Sequence, residues 1–123
     1  MLVSTGEVIF VSIESLNEEY IDVKDALKRI GGNMDLYKRL LAQFSGGDHI
    51  SPLEEALNTG ELEEASRLIH TLKGVSANLS LIKLRNVSTE MEHKLKDKLD
   101  HSECFAELKQ VFYTTSQQIA EII

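Results

Sequence analysis

The segment Ile69-His70-Thr71-Leu72-Lys73-Gly74 puts three chemically suggestive residues on one side of a helix. Around it Leu62, Ala65, Ile69, Leu72, Ser76 and Leu79 recur at alternating steps of three and four, the spacing of a helical face that packs on a core. At about 100° per residue His70 points roughly 140° away from that face and is expected to meet solvent. An exposed imidazole is reachable by a reaction partner. Its intrinsic pKa of about 6.5 leaves it mostly neutral at pH 7, with one ring-nitrogen lone pair free to act as a nucleophile. Lys73, at i+3 and toward the core edge, brings an ammonium near any negative charge delivered to the ring. Gly74, at i+4, costs roughly 1 kcal/mol against alanine inside a helix, and room for a second molecule above the ring is the gain that offsets it. A lone solvent-facing histidine is most often an ordinary surface residue; three such features on one side of one helix are not the usual case.

The elements that must hold this segment are helical. Val23, Leu27 and Ile30 form a first apolar stripe behind Asp22 as N-cap, and Gly31-Gly32 ends it. Asn33 caps the next, which carries Met34, Tyr37, Leu40, Leu41 and Phe44. After a loop at Ser45-Gly-Gly-Asp48, Ser51-Pro52 restarts the helix that runs with Leu53, Ala56 and Leu57 to Gly60. The histidine helix is predicted over Glu61–Leu79. One more follows with Leu84, Val87, Met91 and Leu95, and a last one with Phe105, Leu108, Phe112, Ile119 and Ile122, interrupted by the polar Thr114–Gln118. Short connections and no convincing sheet predict an all-α protein.

The string Ala65-Ser-Arg-Leu-Ile-His70-Thr-Leu-Lys73-Gly74 resembles the His-x-x-Lys-Gly signature of histidine phosphotransfer (HPt) domains. Upstream, Asp25-Ala-Leu-Lys-Arg-Ile-Gly-Gly-Asn33 and Leu36-Tyr-Lys-Arg-Leu-Leu-Ala-Gln-Phe44 are similar to the helices that precede it in that family. The resemblance is good over about Tyr20 to Glu92. It implies an antiparallel four-helix bundle with an additional N-terminal helical segment; residues 20–123 are expected to form the domain, and 1–19 a tail or packed segment. It also implies that His70 is the phosphoacceptor, exchanging its phosphoryl group with the aspartate of a response-regulator receiver domain in a two-component phosphorelay fed by a sensor histidine kinase. Related domains often place a glutamine or glutamate on the following helix to hold the other ring nitrogen, and Glu92 matches that position. A carboxylate there fixes the tautomer and makes the opposite nitrogen more nucleophilic. Ser80 stands where the family usually has a glycine, so either the turn after the histidine helix is altered or Ser80 caps the next helix.

The remaining features mostly exclude. The 123 residues suit one domain, without room for a deep cleft between two lobes. The formal charge of −7 opposes binding to nucleic acid. The single cysteine, Cys104, forms no internal disulfide and is expected as a small buried apolar residue. The N-terminus lacks the basic region of a signal peptide, its apolar run Val8–Ile13 is short, and no stretch reaches the roughly 20 apolar residues of a membrane span. A cytoplasmic monomer is expected. His49, His93 and His101 are not spaced as metal ligands, and neither a metal nor a cofactor is expected. The run Lys94, Lys96, Lys98 reads as a solvated face, with Lys96 one turn beyond Glu92. No phosphate-cradling glycine loop is present, so the chain is expected to carry phosphate and not to act as a kinase. Two other readings fit the same residues: a helical interaction module that is not phosphorylated, and the phosphoacceptor domain of a chemotaxis-type kinase.

Overall fold

The structure, a computed structural model, describes residues 20–123. Residues 1–19, with the Val8–Ile13 run, lie outside the described residues. Six helices and no strand occur among those described: α1 (Val23–Arg29), α2 (Met34–Ser45), α3 (Ser51–Asn58), α4 (Leu62–Asn78), α5 (Ile82–Lys96) and α6 (Ser102–Ile122). Local chemistry starts them as expected at two places: the Asp22 side chain accepts from the Asp25 N–H at the head of α1, and Asn33 accepts from the Leu36 N–H at the head of α2. At α3 the N-cap is Ile50, which makes no side-chain cap bond. Asp48 accepts from the N–H groups of Ile50 and Ser51, and Pro52 sits in the first turn, where its missing donor costs nothing.

The four longer helices, α2, α4, α5 and α6, make the bundle. α4 packs on α5, α5 on α6 and α6 on α2, while α3 lies on α4 and α1 on α2. The Tyr37 hydroxyl of α2 ties that helix to the end of α4 by donating 2.7 Å to the Leu79 carbonyl. The core is filled by Leu41, Phe44, Leu53, Ala65, Ile69, Leu72, Leu84, Met91, Leu108 and Ile119.

Two expected core positions shift. Leu62 is exposed, so the buried stripe of α4 begins at Ala65. In α6 the helix runs unbroken through Thr114–Gln118, and its buried line is Cys104, Leu108, Val111, Thr115, Ile119 and Ile122. Phe105 and Phe112 flank it, half-buried, Phe112 against the rings of Phe44 and His49.

The turn between α4 and α5 decides where α5 enters. Ser80 adopts φ +56, the left-handed conformation usually left to glycine. The Leu81 N–H reaches the Ser76 carbonyl at 2.8 Å and the Ser80 N–H the Ala77 carbonyl at 3.2 Å, the paired bonds of a Schellman cap. The tight turn is thus kept without glycine. Ser80 does not cap α5, whose N-cap is Leu81. Its hydroxyl instead donates to Asp25 at 2.7 Å, and its carbonyl accepts from the Asp22 N–H at 3.0 Å, so α1 clamps the turn. No described helix is long and apolar enough to cross a membrane.

Candidate functional site

Ile69 and Leu72 anchor α4 in the core, with 0% and 3% exposure. That phase turns His70 outward, its side chain 69% exposed. Across the α4–α5 seam Met91 and Leu95 are buried, which leaves Glu92 at the seam's edge. His70 Nδ1 lies 2.6 Å from Glu92 Oε2, and Lys73 Nζ lies 2.6 Å from Glu92 Oε1. One carboxylate therefore holds both residues, each through its own oxygen. Lys73 and Glu92 are about two-thirds shielded from water.

The Lys73 ammonium, together with the His70 N–H, holds the Glu92 carboxyl below the usual carboxylate range, against the opposing effect of partial burial. An ionised carboxylate only accepts hydrogen bonds, so His70 Nδ1 must carry the proton of the 2.6 Å contact. In the neutral imidazole the lone pair then sits on Nε2. Gly74 is exposed on the next turn, and a Cβ built there meets nothing within 4 Å. Its lack of a side chain is not forced by packing within the chain.

Two surface features adjoin this cluster. Lys96 lines a shallow depression together with Glu92, Ser66 and Thr89, so the lysine one turn beyond Glu92 does come near the site. Farther along α4, Val75 and Leu79 with Ile30, Leu40 and Phe44 line an apolar groove. Sequence reasoning missed that groove, although Leu40 and Val75 gave a signal as apolar residues at the edges of their stripes.

Of the other histidines only His93 comes near this cluster, lining the same depression as Glu92 and Lys96. His49 stacks on Phe44 at 4.4 Å and its Nε2–H donates to the Phe44 carbonyl, His93 lies 3.1 Å from Asp97, and His101 precedes α6. No group of three or more His, Cys, Asp or Glu side chains is arranged to hold a metal among the described residues. Cys104 is buried, and burial first, then Glu90 and Glu107, pushes its thiol up to about 11.

His70, held by the Glu92 carboxylate beside the Lys73 ammonium, is displayed on the surface of an all-helical bundle. Residues 39–119, about two-thirds of the chain, match the Hpt domain family, and the chain belongs to that family. Hpt domains are phosphotransfer modules of phosphorelays, carriers of phosphate as distinct from kinases. No curated protein matches the chain, and no solved structure does.

Proposed function

We propose that this protein carries a phosphoryl group on Nε2 of His70 and exchanges it reversibly with the aspartate of a receiver domain, between a sensor histidine kinase and a response regulator. The observation that carries the reading is the Nδ1–Glu92 contact at 2.6 Å on a ring 69% exposed: the proton is held on the inner nitrogen and the outer one faces a partner. In the forward step the Nε2 lone pair forms the N–P bond while the electrons of the acyl phosphate P–O bond return to the receiver's carboxylate. Lys73 offsets the charge that arrives, and Gly74 leaves the approach open. Transition-state stabilisation comes largely from the partner, this chain contributing a positioned nucleophile and a docking face that runs from His70 over Gly74 to the groove at Val75 and Leu79.

Residues 20–123 act as one phosphotransfer unit in this proposal, with 1–19 outside it. The bonds from Asp22 and Asp25 to Ser80 support including α1, which precedes the matched segment. The unit works as a cytoplasmic monomer, where its partners reside.

The test is incubation with a panel of phosphorylated receiver domains, following label into this chain. Label should reach the wild type, be lost in acid and survive base, as a phosphoramidate does. His70→Gln should take up none while its stability changes by no more than about 0.5 kcal/mol, as for most surface substitutions. Label on His70→Gln would refute the assignment.

A further inference from the structure

Glu92 is a carboxylate and not an amide, and that charge bears on how the site gives phosphate up. A ring phosphorylated on Nε2 must leave as neutral imidazole when the N–P bond breaks. It can do so only if Nδ1 keeps its proton; an unprotonated ring would have to depart as imidazolate, a far poorer leaving group. We propose that Glu92, clamped by Lys73, holds the proton on Nδ1 throughout the phosphorylated state and so makes phospho-His70 a labile donor that passes its phosphate on instead of storing it. The inference rests on His70 being the phosphoacceptor.

The geometry supports the proton-holding role. Glu92 Oε2 is 2.6 Å from Nδ1 and its second oxygen is fixed by Lys73 at 2.6 Å, so the carboxylate has a partner on each side and cannot easily turn away. The carboxylate accepts the Nδ1–H directly. When phosphate arrives, the Nε2 lone pair forms the N–P bond, the ring becomes a phosphorylated imidazolium, and its positive charge lies against the carboxylate. On transfer the N–P electrons return to Nε2 and Nδ1–H is unchanged. No proton needs to move between ring and water in either direction.

The other charged groups nearby are largely engaged. On α4, Arg67 is closed on Glu64 at 2.7 Å; on α5, His93 is closed on Asp97 at 3.1 Å and Lys96 lies one turn past Glu92; on α3, Glu54 reaches Lys109 at 3.4 Å, with Glu55 exposed beside it. His93, the neighbouring histidine on α5, is the control.

The experiment compares the lifetime of the phosphorylated wild type with that of Glu92→Gln, which keeps the hydrogen bond and removes the charge. Both are loaded with phosphoramidate, and loss of phosphate is followed by phosphorus NMR between pH 5 and pH 8. At pH 8 the variant should lose phosphate about tenfold more slowly, because an amide lacks the charge that holds the proton on Nδ1. At pH 5, where solvent supplies that proton in either protein, the two rates should converge, and His93→Gln should follow the wild type throughout. Equal lifetimes at every pH overturn the inference. A constant ratio at every pH also overturns it, since simple repulsion between Glu92 and the phosphoryl group would then suffice. Loading that does not depend on His70 overturns the phosphoacceptor reading and this inference with it.

Discussion

In the proposed transfer, Gly74 separates what the helix needs from what a partner needs. It lies inside α4 with a helical backbone, and a Cβ placed on it meets no atom within 4 Å. Gly74→Ala therefore introduces no clash and recovers the helix-propensity penalty, roughly 1 kcal/mol. In a domain of this size that corresponds to a rise in Tm of about 4 °C. Gly74→Gln should also stabilise the helix, by somewhat less than alanine. Side chains on a helix lean toward its N-terminus, so a glutamine at 74 extends over the turn that bears His70 and covers the ring. Displacement of reacting groups by about 1 Å is enough to cost roughly 100-fold in rate, and Gly74→Gln should slow transfer from a phosphorylated receiver by about that factor. Gly74→Ala should slow it far less. Thermal unfolding followed by circular dichroism and rapid-quench transfer assays read the two effects on the same samples. If Gly74→Gln transfers as fast as wild type, glycine is not there to admit a partner. If both variants are less stable than wild type, the open space above Gly74 has been misjudged.

Lys73→Met keeps the aliphatic stem and removes the charge; at pH 7 it should cost up to about 1 kcal/mol, the range of a partly screened pair, and move the transfer equilibrium away from His70, an effect that salt weakens. Because Lys73 lowers the Glu92 carboxyl, its contribution to stability is present above the unfolded carboxyl's pKa and is lost as pH falls through the folded one, so urea unfolding should separate wild type from Lys73→Met by more at pH 7 than at pH 3. Equal separation at both pH values, or unchanged transfer at low salt, makes Lys73 a packing residue. Lys98 and Ser80 both adopt φ +56; Lys98→Gly should raise stability by about 0.5–1 kcal/mol by relieving left-handed strain, whereas Ser80→Gly should gain little, because it also loses the bond to Asp25. A larger gain at Ser80 than at Lys98 in chemical denaturation would show that the Asp25 contact is idle.

Much of this arrangement is legible in the residue order. The outward phase of His70 and the edge position of Lys73 follow from Ile69 and Leu72 alone, because a helix with two anchored core residues has no rotational freedom left. What is not legible depends on two helices at once. Phe105 and Phe112 look more like core than Cys104 and Thr115 do, yet α6 packs between α5 and α2, and the line facing both is the narrower one through Cys104, Leu108, Val111 and Thr115. The large rings go to the flanks, where Phe112 meets Phe44 and His49. Leu62 fails for a simpler reason: it is the first residue of its helix, where the stripe has run past its packing partners. Glu92 came only from the resemblance, since nothing in the periodicity of α5 says which residue of α4 it will face.

That register is a property of the turn, and through it of α1. Three residues, Leu79 to Leu81, link α4 to α5, and a slip of α5 by a single residue would carry Glu92 about 1.5 Å along its axis and about 100° around it. Either displacement breaks a 2.6 Å contact. The slip is opposed by the paired cap bonds at Ser76 and Ala77 and by the two bonds that α1 makes to Ser80. A glycine at 80 would take the left-handed conformation more cheaply, but without a hydroxyl it would lose one of the two ties to α1. The serine thus exchanges backbone ease for a side-chain anchor, and α1, which bears none of the reacting groups, helps set the distance between the carboxylate and the imidazole.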